Sequence, residues 1–186
     1  MKKSILIIIG LFFTLNLFSQ KIKYSKSFQE KLQQTTIDIF TPTEGKYKSK
    51  RSAKNDYQPI DHTIQSKKEG IEIRYAIIPY QATDTRTQAP HVDFMRLVSS
   101  TASNEEEKAT VTVHAIEETL LKEKFNADWG SIAYYQPKGK FAGYKHCRLV
   151  SLYKEGKGLV HTFFLFDEPS RSLDNRLYSL KFTTEI

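Results

Sequence analysis

The segment Leu159–Phe166 constrains the fold more than any other part of the chain. It reads Leu-Val-His-Thr-Phe-Phe-Leu-Phe, so apolar side chains occupy both alternating sets of positions. A strand with one face in water alternates between apolar and polar residues, whereas a strand covered on both faces is apolar throughout. The segment therefore predicts a central strand with a layer of structure above it and another below it.

Two further strand patterns flank this segment. Tyr144–Tyr153 comes before it, and the intervening residues 154–158 contain two glycines, which adopt the positive φ angles of a hairpin loop readily. After it, residues 167–170 break the pattern, and Arg176–Thr183 then alternates apolar and polar side chains. We predict a meander of three aromatic-rich strands, of which the last is half buried.

The first twenty residues have the pattern of a secretory signal peptide. Lys2 and Lys3 precede an apolar run, Ile5–Phe18, which is shorter than the roughly 20 apolar residues that a membrane span needs. We expect cleavage after Ser19 or Gln20, and an uncleaved anchor is the alternative because the site lacks an A-x-A pattern. Cleavage removes two lysines and lowers the net charge from +7 to +5. The mature chain is therefore expected to be exported, either to the periplasm or out of the cell, with no stable membrane span.

Residues 21–186 are expected to form a single domain of the α+β class, with a central antiparallel sheet flanked by helices in an α/β/α sandwich. This length is sufficient to bury a hydrophobic core without disulfides or metals. The only cysteine, Cys147, lies within a strand pattern, which excludes an internal disulfide and a CxxC pair. We expect it to be a buried apolar side chain, and a reactive or dimer-forming thiol is the alternative.

Local patterns predict the remaining elements. They are a helix at Ser25–Gln34, a strand at Thr35–Thr41, strands at Asp61–Lys68 and Ile71–Ile78, a helix at Pro90–Thr101, a helix from Glu106 or Thr110 to Phe125, and a strand at Ser131–Gln136. The paired strands are expected to turn on Glu69-Gly70 alone, which would place Ser66 opposite Ile73. Asn126 is expected to end the preceding helix in the left-handed conformation.

A basic cluster lies between the first strand and the hairpin. Five cations occur within nine residues, namely Lys46, Lys48, Lys50, Arg51 and Lys54. They could contact lipid head groups, polysaccharide or an acidic partner, and the alternative is a solvated loop. Because the remaining positive charge is modest and dispersed, we expect no nucleic-acid partner.

The sole tryptophan and two tyrosines are candidate pocket residues. Trp129 lies in a short connection, and Tyr134 and Tyr135 lie in the strand that follows it. Trp129 could gate a ligand pocket or anchor its loop on the core. A carrier protein would have an enclosed apolar cavity near these three side chains.

The sequence contains no pattern typical of a catalytic or metal site. G-x-S-x-G, H-E-x-x-H, the phosphate-binding P-loop and G-x-G-x-x-G are all absent. The expected hairpin places His161 opposite Val150 or Ser151, several residues away from His146, so these two histidines could not share a metal. A Ser/His/Asp triad could be assembled from many residues, so composition gives it no support. We therefore predict no catalytic residue, no cofactor and no metal.

The order of elements provides one further comparison. The features concerned are Ile37-Asp-Ile-Phe-Thr-Pro42, the Glu69-Gly70 hairpin, the Pro90–Phe125 helical region, Gly143-Tyr144 leading into Leu152-Tyr153, Gly156, and the final Tyr178–Phe182 strand. Over Thr35–Thr183 this order resembles the PsbP/DcrB-like group of exported or lumenal α/β/α sandwiches. The amino-terminal helix and the lack of a lipid-attachment cysteine of the kind that DcrB carries are departures. The resemblance implies a non-catalytic accessory or assembly role and transfers no functional residue.

These patterns predict an exported, non-catalytic binding or accessory protein of the bacterial cell envelope. Its expected partner is an envelope protein or an anionic surface. One alternative is a small-molecule or lipid carrier with a cavity between sheet and helices. Another is a secreted hydrolase, which would show a cleft containing a histidine paired with a carboxylate.

The export prediction can be tested at the amino terminus of the protein isolated from producing cells. We expect mass spectrometry of the envelope or medium fraction to find Gln20 or Lys21 as the first residue. Leu11→Arg places a charge in the apolar run and should leave unprocessed precursor in the cytosol. Wild-type protein found intact in the cytosol would contradict the prediction.

Overall fold

The computed structural model describes residues 22–41, 43–52 and 54–183, so the predicted signal peptide lies outside the described residues. The strands are β1 (Ile37–Ile39), β2 (Lys48–Lys50), β3 (His62–Ser66), β4 (Ile71–Pro79), β5 (Val111–Ala115), β6 (Trp129–Tyr135), β7 (His146–Lys154), β8 (Gly158–Phe166) and β9 (Leu180–Phe182). The helices are α1 (Lys26–Thr35), α2 (Thr85–Gln88), α3 (Pro90–Thr101), α4 (Glu118–Leu120), which continues as a π-helix over Leu121–Phe125, and α5 (Arg171–Arg176).

Seven strands form an open antiparallel sheet in the order β2-β3-β4-β8-β7-β6-β5. The predicted α+β fold with a central antiparallel sheet is therefore confirmed. β8 is the middle strand, and every one of its residues is buried, as its apolar sequence predicted. Strands β1 and β9 pair with each other in a separate two-stranded sheet.

The two faces of the large sheet are covered by different elements. Face A is defined by the core residues Ile73, Tyr75, Val150, Val160 and Phe164, which pack with side chains of α1, the π-helix, α5, β1 and β9. Face B is defined by Ala133, Leu149, Phe163 and Leu165, which pack with α3 and the segment Phe141-Ala142. Cys147 is buried in this second cluster, as expected.

Local sequence explains the helices that cover the sheet. The hydroxyl of Ser25 accepts a hydrogen bond from the backbone N–H of Phe28 at 3.3 Å and caps α1. Phe28 is the buried anchor of this helix on face A. Pro90 occupies the first turn of α3, where its missing N–H costs nothing.

The predicted register of the β3–β4 hairpin is wrong by two residues. Ser66 pairs with Ile71 and not with Ile73, so the loop is Lys67–Gly70. The hydroxyl of Ser66 accepts from the N–H of Glu69 at 3.0 Å, which stabilises a four-residue loop in place of the two-residue turn. Because the side chains of a strand alternate with a period of two, this shift leaves each side chain on the same face of the sheet.

The helix predicted from Glu106 or Thr110 to Phe125 is wrong in its first half. Val111–Ala115 is the edge strand β5, paired with β6. Glu106–Lys108 forms one short 3-10 turn, and the α- and π-helical stretch is confined to Glu118–Phe125. The alternating β-branched residues of this segment suit a strand, and a neighbouring strand with free backbone groups is available to them. Asn126 ends the helical stretch with φ 49°, as predicted.

The predicted three-stranded meander is also only partly correct. β7 and β8 are adjacent, but the chain then crosses face A through α5, and β9 pairs with β1. Leu180 and Phe182 are buried and Lys181 is exposed, so the half-buried alternation is confirmed over β9. The predicted start of the strand is wrong, because Arg176 ends α5, Tyr178 is exposed and Ser179 is buried.

A glycine at the β7–β8 turn provides a test of the central packing. Gly158 has φ +139°, and a Cβ atom at this position would collide with the backbone carbonyl of Ile78 in β4. Because both strain and overlap would follow, we expect Gly158→Ala to lower the free energy of unfolding by about 3 kcal/mol or more. Gly143→Ala is the matched control, since a Cβ atom added there would meet no other part of the chain within 4 Å. Equal urea-unfolding midpoints for the two variants would contradict this packing.

Candidate functional site

A chain of hydrogen bonds between polar side chains crosses the core on face B. The ring of His161 lies 2.7 Å from the hydroxyl of Ser151 through Nδ1 and 3.0 Å from Oδ2 of Asp93 through Nε2. The other carboxylate oxygen of Asp93 accepts from Nε of Arg96 at 2.7 Å. Strands β7 and β8 supply the serine and the histidine, and α3 supplies the aspartate and the arginine.

The pKa values of His161 and Asp93 determine where the protons of these hydrogen bonds lie. Burial lowers the pKa of His161, so the ring is neutral. Burial alone would raise the pKa of Asp93, but hydrogen bonds from His161 and Arg96 outweigh it and lower the pKa to about 2. A carboxylate can only accept, so Nε2 of His161 carries the proton and Nδ1 accepts from the hydroxyl of Ser151.

Ser151, His161 and Asp93 are the residue types of a hydrolase triad, but their buried position does not suit catalysis. Ser151 and His161 have 0% exposed surface and Asp93 has 4%. A nucleophile must reach a substrate carbonyl while its base remains within hydrogen-bond distance. The hydroxyl of Ser151 lies beneath α3. In the folded state, these hydrogen bonds therefore fix α3 on the sheet.

A second polar cluster lies on face B and joins β2, β4 and the segment that precedes β7. Glu72 is 1% exposed and accepts hydrogen bonds from Lys50 at 2.5 Å, from Arg74 at 2.8 Å and from the hydroxyl of Tyr144 at 3.1 Å. Burial alone would raise the pKa of Glu72, but the hydrogen bonds from Lys50 and Arg74 lower it overall. Arg74 also donates to the carbonyl of Phe141 at 2.8 Å. All members of the cluster have partners, so it fixes the 141–144 segment against the sheet.

The basic cluster of the sequence lies at one edge of the large sheet. Its five cations are all exposed, and β2 contributes Lys48 and Lys50. Lys50 forms an ion pair, because its ammonium is bound to the carboxylate of Glu72. The other four, Lys46, Lys48, Arg51 and Lys54, make no ion pair with any residue that the structure describes. The opposite edge, β5, is exposed along its whole length and is preceded by Glu105, Glu106 and Glu107.

The candidate aromatic residues do not share one cavity. In β6, Trp129 and Tyr135 point to face B and Tyr134 points to face A, so a cavity on either side of the sheet could be lined by two of them at most. Trp129 begins the strand and packs edge-on against Phe94 of α3, with ring centroids 5.9 Å apart. Tyr134 lies under the guanidinium of Arg148, at 4.5 Å from the ring centroid. This geometry fits an anchoring role for Trp129.

A cleft that the sequence did not predict opens between α1 and the end of β4. Its volume is about 380 Å³, and its charged lining consists of Lys31, Asp61, Asp84 and Arg86. The buried amide of Gln58 and the apolar segment 77–79 complete one wall. A second, more open groove of about 490 Å³ lies between α1 and β1. Sequence reasoning missed the cleft because its residues come from four separate segments.

The described part of the chain contains neither a metal-binding cluster nor a membrane-spanning helix. Within residues 22–41, 43–52 and 54–183, no three His, Cys, Asp or Glu side chains are grouped so that they could hold a metal ion. Over the same ranges, no helix has the length and hydrophobicity needed to cross a bilayer.

Comparison with known proteins identifies no relative. No family model, no curated protein and no solved structure matches the chain. The similarity to the PsbP/DcrB-like group therefore rests on element order and stays a prediction.

The buried histidines predict a pH dependence of stability. Burial lowers the pKa of His161 and of His62, whose Nε2 has no hydrogen-bond partner among the described residues. The unfolded chain binds protons at both rings near pH 6.5, and the folded chain does so only at lower pH. Their stabilisation is complete above pH 6.5 and is lost as the pH falls toward the folded-state pKa values. We therefore expect urea unfolding to give a lower free energy at pH 5.5 than at pH 7.5.

The substitution His62→Phe measures how much of the decrease in unfolding free energy at low pH is due to His62. His62 stacks on Phe28 with ring centroids 4.8 Å apart, so His62→Phe keeps an aromatic ring in the same place and removes the titrating group. The loss between pH 7.5 and 5.5 should be smaller in this variant. An unfolding free energy that stays constant or rises on acidification of the wild type would refute the assignment.

Proposed function

We propose that the protein is an exported, non-catalytic binding protein of the cell envelope, which holds an acidic, extended segment of a partner protein along β2. The observation that carries this proposal is the pairing pattern of the cations at this edge. Lys50 neutralises a buried carboxylate, whereas Lys46, Lys48, Arg51 and Lys54 are exposed and have no acidic partner among the described residues.

The backbone of β2 supports an extended partner. As the outer strand of the sheet, it pairs only with β3, through Lys48–Gln65, Ser49–Ile64 and Lys50–Thr63. Its outward N–H and C=O groups make no backbone hydrogen bond to any described residue. An added strand would satisfy these groups, and side-chain charge would select among partners. Lysines along an edge repel basic segments and attract acidic ones.

The alternatives have less support. The Ser151–His161–Asp93 chain provides the residue types that a secreted hydrolase needs, but none of the three has more than 4% of its surface exposed. A lipid carrier needs an enclosed apolar cavity, whereas both clefts described above are open to solvent and include polar or charged side chains in their linings. The element order that resembles the PsbP/DcrB-like group agrees with an accessory role, and this argument is by analogy.

Site-specific photo-crosslinking in producing cells tests the proposal. A photoreactive amino acid is placed at Ser49 in β2 and, as a control, at Thr112 in the acidic opposite edge β5. Both side chains are exposed and lie on face A of an edge strand. We expect one protein adduct of reproducible mass at Ser49 and none of that mass at Thr112. Peptide sequencing of the crosslink should find an acidic stretch.

Charge variants identify what the edge recognises. The yield of the Ser49 adduct should fall at least fivefold in the triple variant Lys46→Gln, Lys48→Gln and Arg51→Gln, because the cations that attract the acidic segment of the partner are lost. The matched control changes Lys124, Lys140 and Arg171 to glutamine, which removes the same charge from exposed positions elsewhere. Equal adduct yields in the two triple variants, or an adduct to lipid in place of protein, would refute the proposal.

A further inference from the structure

We infer that the cleft between α1 and the end of β4 is a binding site for a small organic anion, one with a carboxylate or phosphate group and a short apolar body. The inference is independent of the β2 edge, since no residue of β2 lines the cleft. A volume of about 380 Å³ is within the range of about 300–1,000 Å³ that is usual for small-molecule sites.

Both cations of the cleft are held in place by their own carboxylates. Nζ of Lys31 donates to Oδ1 of Asp61 at 2.7 Å and to the carbonyl of Ile77 at 3.1 Å. Arg86 binds Asp84 through Nε at 3.0 Å and Nη2 at 2.6 Å. A ligand would therefore meet ordered cations, and little side-chain entropy would be lost on binding.

Each of these cations keeps donors that the protein does not use. An ammonium has three N–H groups, of which Lys31 uses two. Nη1 of Arg86 makes no hydrogen bond to any described residue. The amide nitrogen of Gln58 has a single long contact, 3.4 Å to the carbonyl of Pro59, while its oxygen accepts from Arg96 at 3.2 Å. Three residues that each keep at least one N–H donor unused by the protein thus line one cleft.

The two carboxylates of the cleft, by contrast, are occupied by donors of the protein. The backbone and the side chain of Arg86 together use both carboxylate oxygens of Asp84. Asp61 accepts from Lys31 through one oxygen and from the N–H of Ile77 through the other, at 2.7 Å. Unused cationic donors beside carboxylates that are already paired select a ligand that is rich in acceptors, and a carboxylate or phosphate is such a group. The segment Ile77–Pro79 offers an apolar surface for the rest of the molecule.

Titration of ¹⁵N-labelled protein followed by NMR tests this inference. The probes are isovalerate, a branched carboxylate, inorganic phosphate, and isoamylamine, a cation of similar shape to isovalerate. We expect saturable shifts of the amides of Lys31, Gln58 and residues 77–86 with at least one anion, and none with the amine at equal concentration. Isovalerate and phosphate distinguish a carboxylate ligand from a phosphate ligand.

Two arginine variants separate the cleft from general charge effects. Arg86→Gln should weaken binding of the effective anion at least tenfold, because it removes the unused guanidinium donors. Arg171→Gln removes the same charge from an exposed position in α5, outside both proposed sites, and should leave the affinity within twofold of wild type. Both arginines are exposed, and the ¹⁵N spectrum of each variant reports whether its fold is intact. The inference is overturned by a lack of saturable anion shifts in the cleft, by equal binding of the amine, or by equal weakening in both variants.

Discussion

The burial of β8 on both of its faces is the constraint on which the rest of the structure depends. All nine residues of the strand are buried, so its sheet needs a covering layer on each side. Face A is covered by elements from both ends of the chain, α1 together with α5 and β9, and face B by α3 from the middle. The chain must therefore bring its ends together over one face, and the β1–β9 pair joins them there.

The polar groups inside this core explain how the layers are fixed relative to each other. Hydrophobic packing is non-directional and would tolerate several positions of α3. The hydrogen bonds from Asp93 to His161 and from His161 to Ser151 are satisfied in one position only. Removing Asp93 would leave the buried Nε2–H donor of His161 without a partner, at a cost of about 1–3 kcal/mol. Within the core, Asp93, His161 and Ser151 thus stabilise the packing of the layers. The cations without an acidic partner lie at the β2 edge, and the unused N–H donors lie in the cleft.

The sequence predicted the fold where the pattern was local and long, and it failed where a distant partner decided the outcome. The apolar run of β8 and the proline-initiated α3 are properties of adjacent residues, and both were predicted correctly. The β5 segment was assigned to a helix. Its β-branched residues favour a strand only because the edge of β6 lies beside them and offers backbone groups to pair with. The last strand was assigned to the meander, because nothing in its sequence specifies β1 as the partner.

The candidate sites were predictable to a smaller extent for the same reason. The five clustered cations are contiguous in sequence, and their exposure was foreseen as one interpretation of the cluster. The pairing of His161 with Ser151 was one of two expected registers, but Asp93 comes from a helix 68 positions earlier. The cleft combines residues from Lys31 to Arg86, and no spacing rule links them. Sites assembled from separate segments leave no periodic signal in a single sequence.

Native-state hydrogen exchange tests most directly whether the molecule is organised around a strand sealed on both sides. If it is, the amides of β8 exchange only through global unfolding, with a free energy equal to that from urea denaturation. The amides of the edge strands β2 and β5 should exchange through local opening, at a much lower free energy. Exchange of β8 as fast as that of either edge would show that the covering layers open separately, and it would contradict the account.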